Sequence, residues 1–301
     1  MTIHEACLQA VQRLMPTFAQ DQAWSDAERL LAHVLGKDVS FLLAHNDTPV
    51  TLIQRTRLTR LITRRIRHEP MEHLLGVAYF RHLALQVTKN TLIPRPETEG
   101  IIDLALKHLQ ALPHPTYCVD IGTGSGAIIC SLASENAGAL STYAYIATDV
   151  SESALRVARG NARRLGLHSA VHFLRTPHFS DTLQQSIQAT HPQSLLLLAN
   201  LPYIPPEDLP TMHASVLAFE PHSALFAHDH GRADIRIVLQ QIAGATWLHH
   251  TPWCALFECD PEYIHTLKPE AEKLFPNAHI TIHADCFSRA RFLEIQTKIP
   301  V

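Results

Sequence analysis

From Thr116 onwards, short apolar runs alternate with stretches of helical period, and this alternation constrains the fold more than any other feature of the chain. Strands are expected over residues 117–121, 143–148, 171–174, 195–199, 253–258, 279–283 and 292–296. Helices are expected at 127–133, at 153–165 with Gly166 at its end, at 232–248 and at 264–274. Each crossover helix covers one face of the sheet that its strands build, so the pattern predicts an α/β fold with a doubly wound, mainly parallel, seven-stranded Rossmann-like sheet. Ligands of such sheets bind outside the carboxyl ends of the strands. The loops there are where chemistry is expected.

The residues before this sheet read as helical. Ser25 with Glu28 has the spacing of a capping box, Leu30, Leu31, Val34 and Leu35 supply an apolar stripe, and Gly36 offers a stop. A second helix is expected from about residue 51 to residue 68, with Ile53, Leu58, Leu61, Ile62 and Ile66 on its apolar side. Its other side carries Arg55, Arg57, Arg60, Arg64, Arg65 and Arg67. That side is read as a solvated face, with a docking surface for an acidic or RNA-associated partner as the sharper alternative.

Beyond Pro70, Leu83, Leu85 and Val87 alternate, Lys89-Asn90 can turn, and Thr91-Leu92-Ile93 is extended, which predicts a β-hairpin. Pro94 and Pro96 flank Arg95, and Pro96 suits the first position of a helix running through Ile101, Ile102, Leu104, Ala105 and Leu109. The expected organisation is a helical N-terminal domain over 1–75, a hairpin and linker helix over 76–112, and a ligand-binding domain over 113–301.

A net charge of -3 argues against a protein built to coat nucleic acid. No apolar run approaches the length of a bilayer span, and Met1-Thr2-Ile3-His4-Glu5 lacks the layout of a signal peptide. The six cysteines are scattered without a Cys-x-x-Cys pair, which reads as reduced cytoplasmic thiols. Histidine is abundant, but His228-x-His230 and His249-His250 lack a third ligand at useful spacing, so no metal is expected.

The first strand of the sheet runs into Val119-Asp120-Ile121-Gly122-Thr123-Gly124-Ser125-Gly126-Ala127. Glycines there let the backbone turn tightly and approach a ligand closely. Asp149, at the end of the next strand, can accept two ribose hydroxyls through charge-assisted bonds of about 1.5–3 kcal/mol each. Gly122-x-Gly124-x-x-Ala127 also satisfies the loose dinucleotide fingerprint. The loop therefore indicates a nucleoside cofactor without saying which.

The fourth strand ends in Asn200-Leu201-Pro202-Tyr203. An amide, a proline and an aromatic at the open end of a buried strand suit the gripping of a planar amide or amine. Such a nitrogen is a weak nucleophile because its lone pair is delocalised. Two acceptors, the Asn200 side-chain oxygen and the Pro202 carbonyl, would aim it at a sulfonium methyl, and Tyr203 would lie against the flat face of the substrate group. Positioning of this kind can account for roughly 7–11 kcal/mol of barrier.

The pairing of Asp120-Ile121-Gly122-Thr123-Gly124-Ser125-Gly126 with Asn200-Leu201-Pro202-Tyr203 resembles the amino-methyltransferases. Leu92-Ile93-Pro94-Arg95-Pro96-Glu97-Thr98-Glu99 resembles the linker signature of the release-factor glutamine methyltransferases (PrmC, once called HemK). So do His68-Glu69-Pro70, Leu74-Leu75-Gly76, Tyr203-Ile204-Pro205, Phe219-Glu220-Pro221 and Ala224-Leu225-Phe226, and the likeness covers nearly the whole chain. The resemblance implies a methyltransferase sheet that binds S-adenosyl-L-methionine through Gly122, Thr123, Gly124, Ser125, Gly126, Asp149, His178 and Asn200. It implies catalysis and substrate binding by Asn200, Pro202 and Tyr203, with Leu201 in the same substrate loop. The product would be N5-methylglutamine in the Gly-Gly-Gln loop of peptide chain release factors. The N-terminal domain would help dock that protein, and a monomer acting in the cytoplasm, without membrane or direct nucleic acid, is expected.

Three segments depart from the family pattern. Leu201 stands where a second proline is usual, a form also seen in enzymes that methylate adenine amines of ribosomal RNA. Thr176-Pro177-His178 replaces an aspartate followed by an aromatic, and Phe257-Glu258-Cys259-Asp260 replaces a more usual Glu-Ile-Gly. Leu201 keeps open an N6-adenine methyltransferase acting on RNA or DNA, and Pro177 with His178 a non-catalytic cofactor-binding module.

Overall fold

The computed structural model describes residues 1–139, 143–212 and 214–297. By its contacts the chain forms two units, Met1–Val77 with the short helix Ala214–Phe219, and the remainder from Ala78.

The first unit is helical, with Ile3–Leu14, Gln20–Leu35, Val39–Ala44, Leu52–Ile66 and Met71–Leu75 around a core that includes Leu14, Leu30, Leu31, Leu58 and Ile62. Capping boxes at Thr2 with Glu5 and at Thr51 with Gln54 satisfy amides that the first turns leave open. The second helix starts earlier than expected, at Gln20, so Ser25 lies inside it, because the buried stripe already begins at Ala23. Gly36 ends it in the left-handed conformation, as expected.

Arg65 corrects the reading of the arginine face. It falls seven residues after Leu58 and three after Ile62, on the buried stripe of its helix, and is 7% exposed. Its Nε donates to Asp26 Oδ2 at 2.7 Å and its guanidinium lies 4.2 Å from the centre of the Phe18 ring. A buried pair of this kind is costly to break, because either partner alone would be an uncompensated charge.

The hairpin lies one strand earlier than the alternation suggested. Its strands are β1 (Val77–Phe80) and β2 (Leu83–Gln86). Arg81 turns the chain at φ 52°, donates its amide to Glu99 Oε1 at 2.7 Å, and gives its guanidinium to Glu135 and Asp103 at 2.8 Å. Residues 91–93 form no strand. The Ile93 amide instead donates to Glu220 Oε2 at 3.0 Å, so a buried carboxylate takes the place of a neighbouring strand. Pro96 opens a 3-10 turn, Pro96–Thr98, which leads into the helix Glu99–Ala111.

The sheet has seven strands, β3 (Thr116–Ile121), β4 (Tyr143–Asp149), β5 (Val171–Arg175), β6 (Ser194–Ala199), β7 (Trp253–Glu258), β8 (His279–Ala284) and β9 (Ala290–Gln296), in the order β5-β4-β3-β6-β7-β9-β8. β3 to β7 run parallel and β9 is antiparallel to both its neighbours. All six residues of β6 are buried, as a central strand covered on both faces requires. A helix not anticipated, Asp181–Gln188, is capped by the Ser180 hydroxyl. The chain leaves β3 in one direction for β4 and β5 and returns on the other side as β6 and β7, which makes the β3/β6 boundary the switch point. There Ile121 pairs with Ala199, so Gly122 and Asn200 leave the sheet side by side.

Candidate active site

The glycine loop is folded by its own backbone. The Gly122 and Thr123 amides both donate to Thr148 O, at 2.9 and 2.8 Å, and the Gly126 amide donates to Thr123 O at 2.8 Å. Gly122 has φ +77°, and a Cβ there would stand 3.0 Å from Leu201 Cδ2. Leu201 thus fills the space that the glycine leaves. A Cβ on Gly126 would meet Ala158 Cβ at 3.2 Å and Cys130 Sγ at 3.3 Å, so this glycine serves the packing of the helix Ala127–Glu135.

Beneath the loop, fully buried Asp120 accepts the Thr123 hydroxyl at 2.6 Å through Oδ2, while Oδ1 has no hydrogen-bond partner. Burial pushes its pKa up to about 7, against the pull of the Thr123 hydroxyl and the Ile129 amide. Asn161, fully buried on the helix Glu152–Arg164, donates to Ser125 O at 2.8 Å and to Gln86 O at 3.0 Å and accepts the Gln86 amide at 2.7 Å. One side chain therefore ties the loop to the hairpin.

Asp149 accepts the Gly124 amide at 3.0 Å and the Ser151 amide at 2.8 Å. Burial raises its pKa while those two amides and that of Val150 lower it. Val150 beside it is 56% exposed, an apolar face turned to the same space. Gly122, Thr123, Gly124, Ser125, Asp149, His178, Asn200, Leu201 and Pro202 line a single cleft of about 1070 Å³, counting the solvent that opens into it. Gly126 and Tyr203 stand outside its lining. His178 takes φ +46° and its Nε2 lies 2.6 Å from Asp234 Oδ1, which also lines the cleft.

The tetrapeptide is held by side chains from distant segments. Asn200 Nδ2 donates to Thr98 Oγ1 at 3.0 Å, and the Tyr203 hydroxyl donates to Glu258 Oε1 at 3.1 Å. Glu258 is 1% exposed; burial raises its pKa, and the Thr98 hydroxyl, the Arg291 charge and the Tyr203 hydroxyl hold it down. Beyond the tetrapeptide, the Ile204 amide donates to Leu225 O and the Ala227 amide to Ile204 O, both at 3.0 Å. Arg95 closes on Glu220 at 2.6 Å, joining two of the motif segments. Gly231, at φ +76°, presses on the Tyr203 carbonyl so closely that a Cβ would lie 1.9 Å from its oxygen.

Sequence reasoning assigned no role to Thr98, Val150, Asn161, Gly231, Asp234 or Glu258. Two of these carried a signal. Asn161 is a polar residue on a helical stripe shared with Ala154, Leu155, Ala158 and Ala162, and Glu258 is an acid ending an otherwise apolar strand.

Comparison with known proteins places this geometry in a family. The PrmC N-terminal domain model matches residues 5–76. The release factor glutamine methyltransferase of Escherichia coli (strain K12) is 38% identical over 227 residues, 75% of this chain and 76% of that protein. Those of Vibrio cholerae (38% identical, 77% of this chain and 76% of that protein) and Haemophilus influenzae (35%, 80% and 81%) are similar to it to the same degree. Among solved structures, the hMettl16 catalytic domain in complex with the MAT2A 3'UTR hairpin 6 superposes with a TM-score of 0.54 at 12% identity, over 82% of each chain, a likeness of fold. The linker, the glycine loop and the tetrapeptide thus occur together in a chain whose relatives share more than a third of its residues over three quarters of its length, and it belongs to the release factor glutamine methyltransferase family.

Proposed function

We propose that this protein transfers the methyl group of S-adenosyl-L-methionine to the side-chain amide nitrogen, N5, of the glutamine in the Gly-Gly-Gln loop of peptide chain release factors. The observation that carries the reading is the Asn200 amide: its NH2 is spent on Thr98, which leaves Oδ1 as an acceptor in the cleft beside the glycine loop.

The lining fits the cofactor. Asp149 has acceptor capacity beyond its two amide bonds for ribose hydroxyls, Val150 offers an apolar face for a base, and His178 with Asp234 offers polar edges. S-adenosylmethionine, when bound, supplies an electrophilic sulfonium methyl. Asn200 Oδ1 and the Pro202 carbonyl accept the two amide hydrogens of the substrate and turn its nitrogen towards that methyl. Transfer would form the N–C bond as the S–C bond broke, with S-adenosylhomocysteine as the other product and the extra proton on the nitrogen passing to solvent. Tyr203 holds the loop through Glu258, and no metal or strong base takes part. Among the described residues no helix is long and apolar enough to cross a membrane. We take the protein to act in the cytoplasm as a monomer. The helical unit, with Arg57 and Arg60 on its surface, contributes to docking of the release factor.

Leu201 favours one other reading, methylation of an adenine amine in RNA. A parallel assay separates the two. Purified protein and labelled S-adenosylmethionine are offered release factor and ribosomal RNA, and the product is examined by mass spectrometry. One methyl on the Gly-Gly-Gln glutamine is the expected result; label in RNA alone would overturn it.

A further inference from the structure

An asparagine amide can present either its oxygen or its NH2 to a ligand, because the two ends have nearly the same shape. Only one sense serves an acceptor for an amide N–H. Thr98 Oγ1, which meets Asn200 Nδ2 at 3.0 Å, does not settle the sense by itself, since a hydroxyl both donates and accepts. The group behind Thr98 does settle it. Glu258 closes β7 at 1% exposure, and its Oε1 takes the Tyr203 hydroxyl at 3.1 Å. Its Oε2 has no partner, although the Thr98 hydroxyl comes near enough to act on the carboxylate without an aligned bond. An ionised carboxylate only accepts. With Glu258 ionised, the Thr98 proton is drawn to it, the Thr98 lone pair turns to Asn200, and the Asn200 NH2 points at Thr98.

We propose that Glu258 and Thr98 are positioning residues: they form a relay that fixes the donor–acceptor sense of the Asn200 amide and, through Tyr203, hold both ends of the tetrapeptide to one buried group. This rests on the reading of Asn200 as the acceptor for the substrate amide. A buried carboxylate is expensive to keep when a neutral amide of the same shape would fill the space. Arg291, itself bonded to Asp285 Oδ2 at 3.3 Å, lies near enough to favour the charged form. Glutamine at 258 could turn its NH2 to Thr98, after which Thr98 would donate to Asn200 and the Asn200 NH2 would face the substrate amide.

Four full-length variants test the relay: Glu258→Gln, Thr98→Val, the two combined, and Thr98→Ser. Steady-state methylation of release factor and cofactor binding by calorimetry are measured for each. Glu258→Gln and Thr98→Val are each expected to lower kcat ~100-fold, the scale of a lost oriented transition-state contact, with cofactor affinity unchanged. Thr98→Ser keeps the hydroxyl and is expected to keep wild-type kcat. The double variant should be no slower than the slower single one, because both break the same chain. Wild-type kcat in Glu258→Gln, or a Thr98→Ser protein as slow as Thr98→Val, would overturn the relay. If Glu258→Gln does not fold, the Thr98 pair decides. A readout without substrate separates this inference from the proposed function: the side-chain amide protons of 15N-labelled Asn200 should show contacts to the Thr98 methyl in the wild type and lose them in Glu258→Gln. Unchanged contacts in a folded Glu258→Gln protein refute the relay even if the release factor proves not to be the substrate.

Discussion

The two ends of the cleft are built on different principles. At the cofactor end the polar groups come mostly from backbone within one stretch of chain: amides of Gly122 and Thr123 on Thr148 O, and amides of Gly124 and Ser151 on Asp149. At the acceptor end the groups are side chains, and each is held by a residue far away in sequence, Asn200 by Thr98 and Tyr203 by Glu258. A backbone cradle tolerates change in its surroundings, because its geometry is set by φ values that glycine permits. A side-chain clamp depends on every member of its hydrogen-bond chain. Loss of one acceptor-end group should therefore cost rate, and loss of one cofactor-end group should cost affinity.

The largest effect is expected from Asn200→Ala. Turnover should fall by about 10³ or more, since both orientation and an acceptor present at the transition state are lost. Thermal stability should hardly move, as the side chain is only half-buried and adds little to the core. Methyl transfer within tenfold of wild type would erase the contrast between the two ends. Asp149→Ala should invert the pattern. The Michaelis constant for the cofactor should rise ~10–100-fold, as expected for losing bonds to a charged group, with kcat at saturation nearly kept. A drop in kcat without a change in that constant would show that Asp149 belongs to the chemistry.

The same contrast explains which residues of the cleft are legible in the sequence. The glycine loop, Asp149 and the tetrapeptide stand at the ends of strands that announce themselves as apolar runs, so the cleft lining was legible from contiguous stretches. Thr98 was visible only as a letter within a linker motif, and Glu258 only as one acid in a segment that departs from the family pattern. Nothing in a one-dimensional reading brings residue 98, residue 200 and residue 258 together; that juxtaposition comes from the strand order β3-β6-β7 and the turn at Pro96. The hairpin was misplaced for a related reason. Alternation at residues 83–93 looks extended throughout, but the partner of the Ile93 amide is Glu220, 127 positions away.

Asn161 sharpens the comparison from the cofactor side, because there the glycine loop itself leans on a side chain from another element. Asn161→Ala would leave Ser125 O and both Gln86 backbone groups without their partner. Three bonds removed from a buried site should lower stability by roughly 2–4 kcal/mol, read as a reduced midpoint in thermal or urea unfolding. Cofactor affinity should fall a few-fold as the Ser125 turn loosens, while kcat is retained. Unchanged affinity in the destabilised protein would mean that the loop holds its shape without Asn161, through Thr148, Asp149 and its own backbone bond.

The smallest expected effect concerns buried charge, where the two ends differ again: Glu258 has Arg291 nearby, whereas no cation is among the groups that act on Asp120. Asp120 faces the Thr123 hydroxyl, the Ile129 amide, the Cys130 thiol and the Asp149 carboxylate. Its pKa in the folded protein, about 7, lies above the ordinary 3.8. The folded state therefore holds its proton to higher pH than the unfolded chain does, and this group makes stability fall between about pH 4 and pH 7, with no further loss above 7. Asp120→Asn removes that slope. The variant should be close to wild type in stability at pH 5, where the weakened bond from Thr123 offsets the charge it no longer carries, and lead it by about 2–3 kcal/mol at pH 8. Unfolding midpoints of the two proteins followed from pH 5 to pH 8.5 would test this. Parallel curves would mean that Asp120 ionises in the folded protein at an ordinary pH, and that the cofactor end, like the acceptor end, has a way to neutralise the charge it buries.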